Sequence, residues 1–415
     1  MPPPEASILL IGSELTEGRL ADRNGRFLAE ELSEMGFRVR EIRIFPDDDL
    51  SLRAGMREML QSGVRVLLSA GGLGHTTDDL TAQVWAEVLG DKLEVSSSLL
   101  AELEGQLQAR GIPSLPYLDR YALVPTRGEA LPNPIGLAPA LYWEVGLQVI
   151  CALPGPPAEV QAIWHTSLKP RLQKRFSLTS PLHHTFRTTG ITESRLSVLI
   201  QEWEAQLPPF VRLSYGPSLE GVALHLRAPG DVPIETFLKE VETLRQLIAP
   251  YLYAEGNISL AEAILNELRR KGLTLAIAES CTGGHIAAQI VNIAGASDVF
   301  LGSVVSYANS AKEALLGVSP TVLQAEGAVS EVVARQMAEG VCRTFGASVG
   351  IATTGIAGPT GGSPEKPVGT VWFGIATPKG TIAKRYILPG DRQTVIQRAT
   401  ALALSLTWQV LRAEK

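Results

Sequence analysis

Glycine-rich turns that directly follow short apolar runs constrain this sequence more than any other feature. Val64 to Ala70 leads into Gly71-Gly72-Leu73-Gly74, and Leu273 to Ala278 leads into Glu279-Ser280-Cys281-Thr282-Gly283-Gly284. A segment with helical periodicity comes after each turn, and further strand–turn–helix units surround both of them. Repetition of such units is typical of a parallel sheet covered by helices. The sequence therefore predicts an α/β fold at each end of the chain.

The chain is too long for one hydrophobic core, because its 415 residues exceed the size at which a single core stops growing. We predict a doubly wound parallel sheet over 1–170, a small α+β unit over 171–253 and a second α/β domain over 254–415. The middle unit has the size of a KH module but no GxxG loop, so we interpret it as a spacer or assembly domain. His183 and His184 lie on one of its strands without further ligands, which favours a structural role.

Composition excludes several classes of function. A net charge of -6 and a pI near 5.7 give no electrostatic footprint for nucleic acid. The cysteines, Cys151, Cys281 and Cys342, are scattered and odd in number, which argues against a disulfide framework and fits a reducing compartment. The first residues lack the pattern of a signal peptide, and no apolar run approaches the roughly 20 residues of a membrane-spanning helix. We therefore expect a soluble, cytoplasmic protein.

Three loops of the N-terminal region follow predicted strands, where ligands of open α/β sheets bind. They are Gly12-Ser13-Glu14, Gly71 to Gly74 and Pro154-Gly155-Pro156. Glycines permit close backbone approach, and amides that open a helix hold phosphate oxygens. Carboxylates beside such a cradle would repel phosphate unless a divalent cation lay between them, so Glu14, Asp78 and Asp79 are candidate metal ligands. Glycine-rich turns also end many ordinary strands, and either aspartate could simply cap a helix.

The C-terminal region carries a candidate nucleophile between a strand and a helix, in the hexapeptide Glu279 to Gly284. Ser297, Tyr307 and Lys312 follow downstream without a His–Asp pair, and a buried lysine is a known activator of serine. In a purely structural interpretation, Ser280 and Thr282 cap the helix that follows the hexapeptide, and Lys312 is a solvated surface charge. In another, Cys281 is the nucleophile and His285 its base.

Lys312 can act as a base only if its amine is neutral. Asn309 or Ser310 can cap a short helix, which would place Lys312 in the first turn, where the helix dipole disfavours the charged form. Burial would lower its pKa further. We therefore predict that Lys312 activates a serine, with Ser297 as the first choice, Ser280 as the second and Tyr307 assisting.

The N-terminal motifs resemble the molybdopterin-binding fold and, more closely, the N-terminal domain of the CinA family. The matching segments are Ile11–Gly18, Gly71–Thr81, Leu131–Gly136 and Leu153–Pro157. The resemblance implies an ADP-ribose pyrophosphatase that needs a divalent metal (Mg, Mn or Co) and yields AMP and ribose 5-phosphate. His75 stands where this family is expected to have proline, and we interpret it as an altered loop contact. The implied substrate-binding residues are Gly12, Gly71, Gly72, Gly74, Asn133 and Gly155.

The C-terminal motifs resemble the CinA C-terminal domain in Glu279–Gly284, Ser303–Lys312, Leu316–Val318 and Gly355–Gly362. This resemblance implies a nicotinamide mononucleotide deamidase that needs no cofactor at this site. The family's reactive positions match Ser280, Ser297, Tyr307 and Lys312. The implied substrate-binding residues are Thr282, Gly283, Gly284, Gly355, Gly358, Gly361, Gly362 and, as a phosphate partner, Arg392.

Two functional hypotheses follow. The first is a bifunctional, homodimeric hydrolase of pyridine-nucleotide salvage, which acts on nicotinamide mononucleotide and ADP-ribose. The second is a nucleotide-sensing or competence-related binding protein with a nucleic-acid role for its middle unit. The acidic balance and the missing GxxG loop disfavour the second hypothesis.

Overall fold

Each glycine-rich turn follows a buried strand, as the sequence predicts. The computed structural model of the protein describes residues 3–176 and 178–413. They form two units: one runs up to Leu182 and includes Pro229–Asp231, and the other holds His183–Ala228 and the chain from Val232 onwards. In the part of the chain that the structure describes, no helix is long and apolar enough to cross a membrane.

The N-terminal unit is built on a six-stranded sheet with the order β2-β1-β3-β8-β7-β6. The first four strands in that order are parallel, and β7 and β6 extend the sheet antiparallel. The antiparallel pair was not predicted, whereas the parallel part is confirmed. A separate ribbon pairs β4 with β5. The strands are β1 (Glu5–Ile11), β2 (Arg38–Phe45), β3 (Val66–Ala70), β4 (Leu93–Val95), β5 (Leu123–Pro125), β6 (Glu129–Leu131), β7 (Ala140–Val145) and β8 (Gln148–Leu153).

Helices cover both faces of this sheet, which is the doubly wound arrangement. On β1, Ile8 packs in the same core cluster as Leu28, and Leu9 packs in a second cluster with Leu52, because successive strand residues point to opposite faces. The helices are α1 (Ser13–Thr16), α2 (Asn24–Glu34), α3 (Asp49–Gln61), α4 (Thr81–Val88), α5 (Ser97–Ala109), α6 (Leu118–Tyr121), α7 (Pro157–Ile163) and α8 (Lys169–Arg175), with a π-helical turn (Trp164–Leu168) between the last two.

The middle segment is a four-stranded sheet with two helices. The sheet order is β10-β11-β9-β12, and β12 is a short strand that was not predicted. His184 contacts the carboxylate of Glu255 at 2.6 Å and packs on Phe186, which fits the expected structural role, and His183 is exposed. The elements are β9 (Leu182–Thr188), α9 (Glu193–Glu204), β10 (Arg212–Pro217), β11 (Val222–Ala228), α10 (Ile234–Ile248) and β12 (Leu252–Glu255).

The C-terminal domain has a five-stranded sheet with the order β14-β13-β15-β16-β17. Strands β14, β13 and β15 are parallel, so their carboxyl ends meet at one edge, while β16 and β17 are antiparallel. The elements are α11 (Leu260–Lys271), β13 (Leu275–Glu279), α12 (His285–Val291), a 3-10 turn (Ala296–Asp298), β14 (Phe300–Val305), α13 (Asn309–Leu316), α14 (Pro320–Glu326), α15 (Glu331–Phe345), β15 (Val349–Gly355), β16 (Thr370–Thr377), β17 (Gly380–Ile387) and α16 (Arg392–Ala413).

This second sheet is also covered on both faces. Ile277 of β13 packs in a core cluster with Ile264 of α11, and Ala278 packs in another with Met337 of α15. The last residue of the fully buried strand β13 and the turn after it therefore lie at the sheet edge, between two layers of helices. The predicted α/β class is confirmed for both ends of the chain.

A buried carboxylate in the N-terminal unit offers a test of the fold. Asp91 accepts hydrogen bonds from the Thr126 hydroxyl at 2.5 Å, the Lys92 amide at 2.8 Å, the Trp143 indole at 3.0 Å and the Arg127 amide at 3.1 Å. Burial alone would raise the pKa of Asp91, but these donors outweigh it and lower the pKa to about 2.

We expect Asp91→Ala to lower the free energy of unfolding by about 2–4 kcal/mol, since several buried donors lose their acceptor. Denaturant unfolding at neutral pH, followed by tryptophan fluorescence, measures this. The contribution is complete above the ordinary aspartate pKa and is lost as the pH falls towards 2, because the folded-state pKa is depressed. Glu104→Ala, at an exposed position of α5, is the control. Equal stability of the two variants would contradict the prediction.

Candidate active sites

A buried lysine marks the edge where the parallel strands of the C-terminal sheet end. Lys312, on α13, is only 1% exposed. Its Nζ lies 3.1 Å from the Ser280 Oγ, 2.7 Å from the carbonyl oxygen of Ser306 and 3.2 Å from that of Tyr307. Among the salt bridges of residues 3–176 and 178–413, none involves this amine. The lysine is therefore held by neutral oxygens alone.

Burial lowers the pKa of Lys312, and no carboxylate partner offsets this effect. A neutral amine has two N–H donors and one lone pair, whereas an ammonium has three donors and no acceptor. In the neutral form, the two carbonyls take the two donors, which leaves the lone pair for the Ser280 hydroxyl; in the charged form, all three oxygens accept from the ammonium. The geometry therefore suits a lysine that accepts the serine proton.

Strand topology brings these groups together from distant parts of the sequence. Ser280 is the residue after β13, and Ser306 is the residue after β14. The Ser280 amide donates to the carbonyl of Thr353 on β15 at 3.0 Å, and the Ser306 amide donates to that of Glu279 at 2.8 Å. These bonds continue the parallel ladders beyond the strand ends and fix the nucleophile relative to Lys312.

A cavity of about 220 Å³ opens in front of this pair. Arg392, the first residue of α16, donates to the Tyr307 hydroxyl at 2.9 Å and to the carbonyl of Gly358 at 2.8 Å. The Tyr307 side chain is 63% exposed, and its hydroxyl is bonded to Arg392 rather than to the lysine. The cavity is lined by Ser280, Cys281, Tyr307, Lys312, Ala328, Val329, Thr354, Gly355, Ala357 and Arg392.

The structure places Ser280, the second choice of the sequence analysis, beside Lys312, and not the first choice, Ser297. Ser297 is exposed in the 3-10 turn before β14, whereas Ser280 follows the carboxyl end of β13 and contacts Lys312. Residues before and after parallel strands lie at opposite edges of a sheet, so Ser297 is far from the amine. The capping prediction was wrong, because α13 begins at Asn309 and Ala308 is its N-cap, without a side-chain bond. Burial of Lys312, as expected from the sequence, is found.

The alternative pair of Cys281 and His285 receives no support from the geometry. Burial raises the pKa of the Cys281 thiol to about 12, so the thiol stays protonated at neutral pH. The His285 Nδ1 contacts the carbonyl oxygen of Thr282 at 2.6 Å. The Thr282 hydroxyl is fully buried against that of Thr353 at 2.7 Å, so it anchors the turn and does not line the cavity.

The predicted glycines have different environments. Gly283 and Gly284 have φ of 60° and 99°, a left-handed conformation that lets the turn enter α12. Gly355 lines the cavity, and Gly358 contributes its carbonyl to Arg392. Gly361 and Gly362 are exposed and lie outside the cavity lining, contrary to the prediction that they face a ligand there.

Two cavities meet at the glycine-rich loop of the N-terminal sheet. One, of about 340 Å³, is lined by apolar residues that include Leu93 and Leu141 and by polar residues that include Arg120. The other, of about 450 Å³, is lined by glycines and by two carboxylates, Asp79 and Glu159. Both are lined by Gly72, Leu73, Gly74, Asp79 and Tyr121. The two cavities differ in charge, since Arg120 lines the first and Glu159 lines the second.

The predicted metal ligands are not gathered at one point. Within 3–176 and 178–413, no group of three or more histidine, cysteine, aspartate or glutamate side chains is arranged to hold a metal ion. Asp79 lines both cavities, whereas Asp78 is exposed and Glu14 lies beside Gly12 outside their linings. Neither aspartate caps α4, which begins at Thr81 after Leu80.

The carboxylates of Asp79 and Glu159 do fit a hydrated divalent cation. The Asp79 Oδ2 accepts from the amide and hydroxyl of Thr76 at 2.8 and 2.5 Å, and the Glu159 Oε2 accepts from Asn133 at 2.7 Å. Each carboxylate thus keeps one oxygen without a donor in the part of the chain described by the structure. Magnesium is usually held by one or two carboxylates, waters and substrate phosphates, so two are sufficient.

Most of the other predicted N-terminal residues shape the loops and do not line the cavities. Asn133 is buried, and its Oδ1 accepts from the Gly136 amide at 2.9 Å, so it organises its own loop. A Cβ on Gly71 would collide with the carbonyl of Ile11, which makes glycine necessary there. Gly155 lines the acidic cavity, and Gly12 does not.

His75 forms the loop contact that the sequence suggested. Its ring stacks on Tyr117 with 3.7 Å between centroids, and its Nδ1 lies 2.9 Å from the Tyr121 hydroxyl. Arg120 donates to the carbonyl of His75 at 2.6 Å. The sequence analysis missed Arg120, Tyr121 and Glu159, although Glu159 carries a signal, as an acidic residue just after a Gly-Pro turn.

Comparison with known proteins covers nearly the whole chain. A family model described as the CinA C-terminal domain matches residues 257–411, and one described as a probable molybdopterin binding domain matches 7–174. A CinA-like protein of Cytophaga hutchinsonii is 36% identical over 96% of both chains, and one of Salinibacter ruber is 38% identical over 94% of this chain and 95% of its own. A CinA superfamily crystal structure from Klebsiella pneumoniae is 32% identical and covers 37% of this chain and 96% of its own, with a TM-score of 0.36.

The thiol chemistry of the site is directly testable. We expect Cys281 in the folded protein to react with a thiol reagent such as iodoacetamide at pH 8 about 10³ times more slowly than an ordinary cysteine, because its raised pKa leaves little thiolate. Mass spectrometry of native and denatured protein measures the modification. In denaturant all three free cysteines should react. Rapid native labelling at Cys281 would show an activated thiol and restore the cysteine alternative.

Proposed function

The chain belongs to the CinA family, and on that premise we propose that its C-terminal domain hydrolyses the amide of nicotinamide mononucleotide. The observation that carries the proposal is the 3.1 Å contact between the Nζ of buried Lys312 and the Ser280 Oγ, at the wall of a cavity. A serine needs a base within about 2.6–3.2 Å to become a nucleophile at neutral pH. The products would be nicotinic acid mononucleotide and ammonia.

The proposed reaction has two steps. The Ser280 Oγ attacks the amide carbon while its proton passes to the Lys312 amine. Lys312 then donates that proton to the departing nitrogen, and the C–N bond breaks to release ammonia. Water hydrolyses the resulting ester with the same lysine as base. The carbonyls of Ser306 and Tyr307 orient the amine throughout, since they accept its two other hydrogens.

Arg392 supplies the positive charge that a mononucleotide substrate requires. Its guanidinium lies at the cavity wall and is held by the Tyr307 hydroxyl and the Gly358 carbonyl, neither of which neutralises it. Guanidinium groups bind phosphate oxygens through paired donors. We therefore assign the substrate phosphate to Arg392, with Tyr307 as its positioning partner.

For the N-terminal domain, we propose hydrolysis of ADP-ribose to AMP and ribose 5-phosphate. Two adjoining cavities suit a ligand with a base at one end and a pyrophosphate beside it: one holds Leu93 and Leu141 beside Arg120, and the other is lined by glycines and carboxylates. Asp79 and Glu159 would hold a divalent cation, which would neutralise phosphate charge when bound. The rival hypothesis, a nucleic-acid-binding protein, is not favoured, since both candidate sites are cavities that suit small molecules.

Substitution of Lys312 tests the deamidase proposal. We expect Lys312→Ala to lower the deamidation rate about 10²-fold or more, because the serine loses its base. Lys312→Arg should not restore it, since a guanidinium stays protonated. The wild-type rate should rise with pH to a plateau as the lysine loses its proton, with a midpoint below 10.5, because burial lowers the pKa of Lys312. Ammonia release from nicotinamide mononucleotide is the assay.

Lys384→Ala is the matched control, because Lys384 is an exposed lysine on β17 of the same domain. ADP-ribose cleavage should be unchanged in all three variants. A Lys312→Arg enzyme with a near wild-type rate would mean that the lysine is only a structural or phosphate-binding cation.

Metal removal tests the N-terminal proposal. We expect chelation to abolish ADP-ribose hydrolysis and to leave deamidation intact, because carboxylates with a free oxygen line the acidic N-terminal cavity and no carboxylate is among the described residues that line the C-terminal one. Asp79→Asn and Glu159→Gln should each reproduce the chelator effect, whereas exposed Asp78→Asn should not. Chromatography of AMP and ribose 5-phosphate follows the reaction. Full activity of both cavity variants would overturn the assignment of the metal ligands.

A further inference from the structure

Glu279, the last residue of β13, is a fully buried carboxylate that faces backbone amides. Its Oε2 accepts hydrogen bonds from the amides of Gly284 at 2.9 Å and Ile286 at 3.2 Å, and its Oε1 accepts one from Ala287 at 2.9 Å. A buried charge is tolerated only when it is paired or fully hydrogen-bonded. The three donors therefore stabilise a buried carboxylate in the residue directly before the proposed nucleophile.

Three other amides of the turn donate to carbonyl oxygens. The Ser280 amide donates to a carbonyl of β15 at 3.0 Å, that of Gly283 to the carbonyl of Ser280 at 3.2 Å, and that of His285 to the carbonyl of Thr282 at 3.1 Å. Within 3–176 and 178–413, the amides of Cys281 and Thr282 donate to no carbonyl oxygen, and both face the Cys281 thiol, a weak acceptor. Cys281 lines the cavity, and its amide directly follows the proposed nucleophile.

We propose that Glu279 is a positioning residue, which engages the amides that open α12 and so holds the Cys281 amide where it can bind the oxyanion of the proposed reaction. In strand–turn–helix hydrolases, the amide after the nucleophile is an oxyanion donor. Cys281 lines the same cavity as Ser280. When the Oγ–carbon bond forms, the Oγ proton passes to Lys312, and the carbonyl electron pair moves to the oxygen that the Cys281 amide would bind.

The three amide donors require a carboxylate at position 279. Both oxygens of Glu279 act as acceptors, so a glutamine would turn its NH₂ group towards a backbone N–H. The turn would then shift to relieve the mismatch, and it carries the proposed nucleophile and the Cys281 amide. A donor displaced from the oxyanion costs a factor of about 10²–10³ in rate.

The experiment compares wild type, Glu279→Gln, Glu279→Asp and the control Glu267→Gln, which makes the same change in an ion-paired glutamate of α11. Two rates are measured: the kcat and KM for nicotinamide mononucleotide, and phosphonylation of Ser280 by a fluorophosphonate, read by mass spectrometry. The second reaction forms a P–O bond, expels fluoride and transfers the serine proton to Lys312, and its phosphoryl oxygen needs the same donors. It does not depend on the proposed substrate.

We expect both Glu279 variants to lose about 10²-fold in kcat and in labelling rate, with KM within about threefold and the control unchanged. If Glu279 only caps α12, the Glu279 variants will have a lower melting temperature, but the folded proteins will be labelled at the wild-type rate. That result would overturn the proposal. If wild type labels at Ser280 but does not deamidate, the substrate assignment fails, and slower labelling of the variants still supports the positioning role. If Glu279→Gln does not fold, the kcat and the labelling rate of Glu279→Asp test the proposal.

Discussion

The amine of Lys312 is the group on which the C-terminal site depends. Removing an ammonium from water costs several kcal/mol, and such a group is normally paired with a carboxylate when it is buried. Here its neighbours are two carbonyls and a hydroxyl. The cost is avoided if the amine is neutral, and a neutral amine in this position is a base. The burial that disfavours the charged form of the lysine therefore suits it to the proposed role of base.

That environment exists because three parallel strands end at one edge. The carbonyls of Ser306 and Tyr307 follow β14, and Ser280 follows β13, while β15 accepts the Ser280 amide. A parallel ladder sets the register of neighbouring strands, and it therefore sets where the residues after them lie. The distance between Ser280 and Lys312 is a consequence of sheet register, although 32 residues separate them in sequence.

Sequence reasoning identified the elements well but could not rank the residues between them. Apolar runs bounded by glycine predicted β3 and β13, and helical periodicity predicted the helices after their turns, α4 and α12, because those signals are local. Ser280 and Ser297 look equivalent in sequence, since both lie near strands. They differ in the structure because Ser280 follows β13, whereas Ser297 precedes the parallel strand β14 and therefore lies at the opposite edge of the sheet. Glu159 was overlooked because its partner in the acidic cavity, Asp79, belongs to a different crossover of the sheet.

The two ends of the chain use the same strand–turn–helix unit but orient its acidic residues differently. At the N-terminal turn, Asp79 and Glu159 line a cavity, and each keeps an oxygen without a donor. At the C-terminal turn, Glu279 points away from the cavity, and three amides engage its carboxylate. Free carboxylate oxygens attract a divalent cation, and a carboxylate surrounded by amides does not. One architecture can therefore support phosphate chemistry with a metal at one end and serine chemistry without a metal at the other.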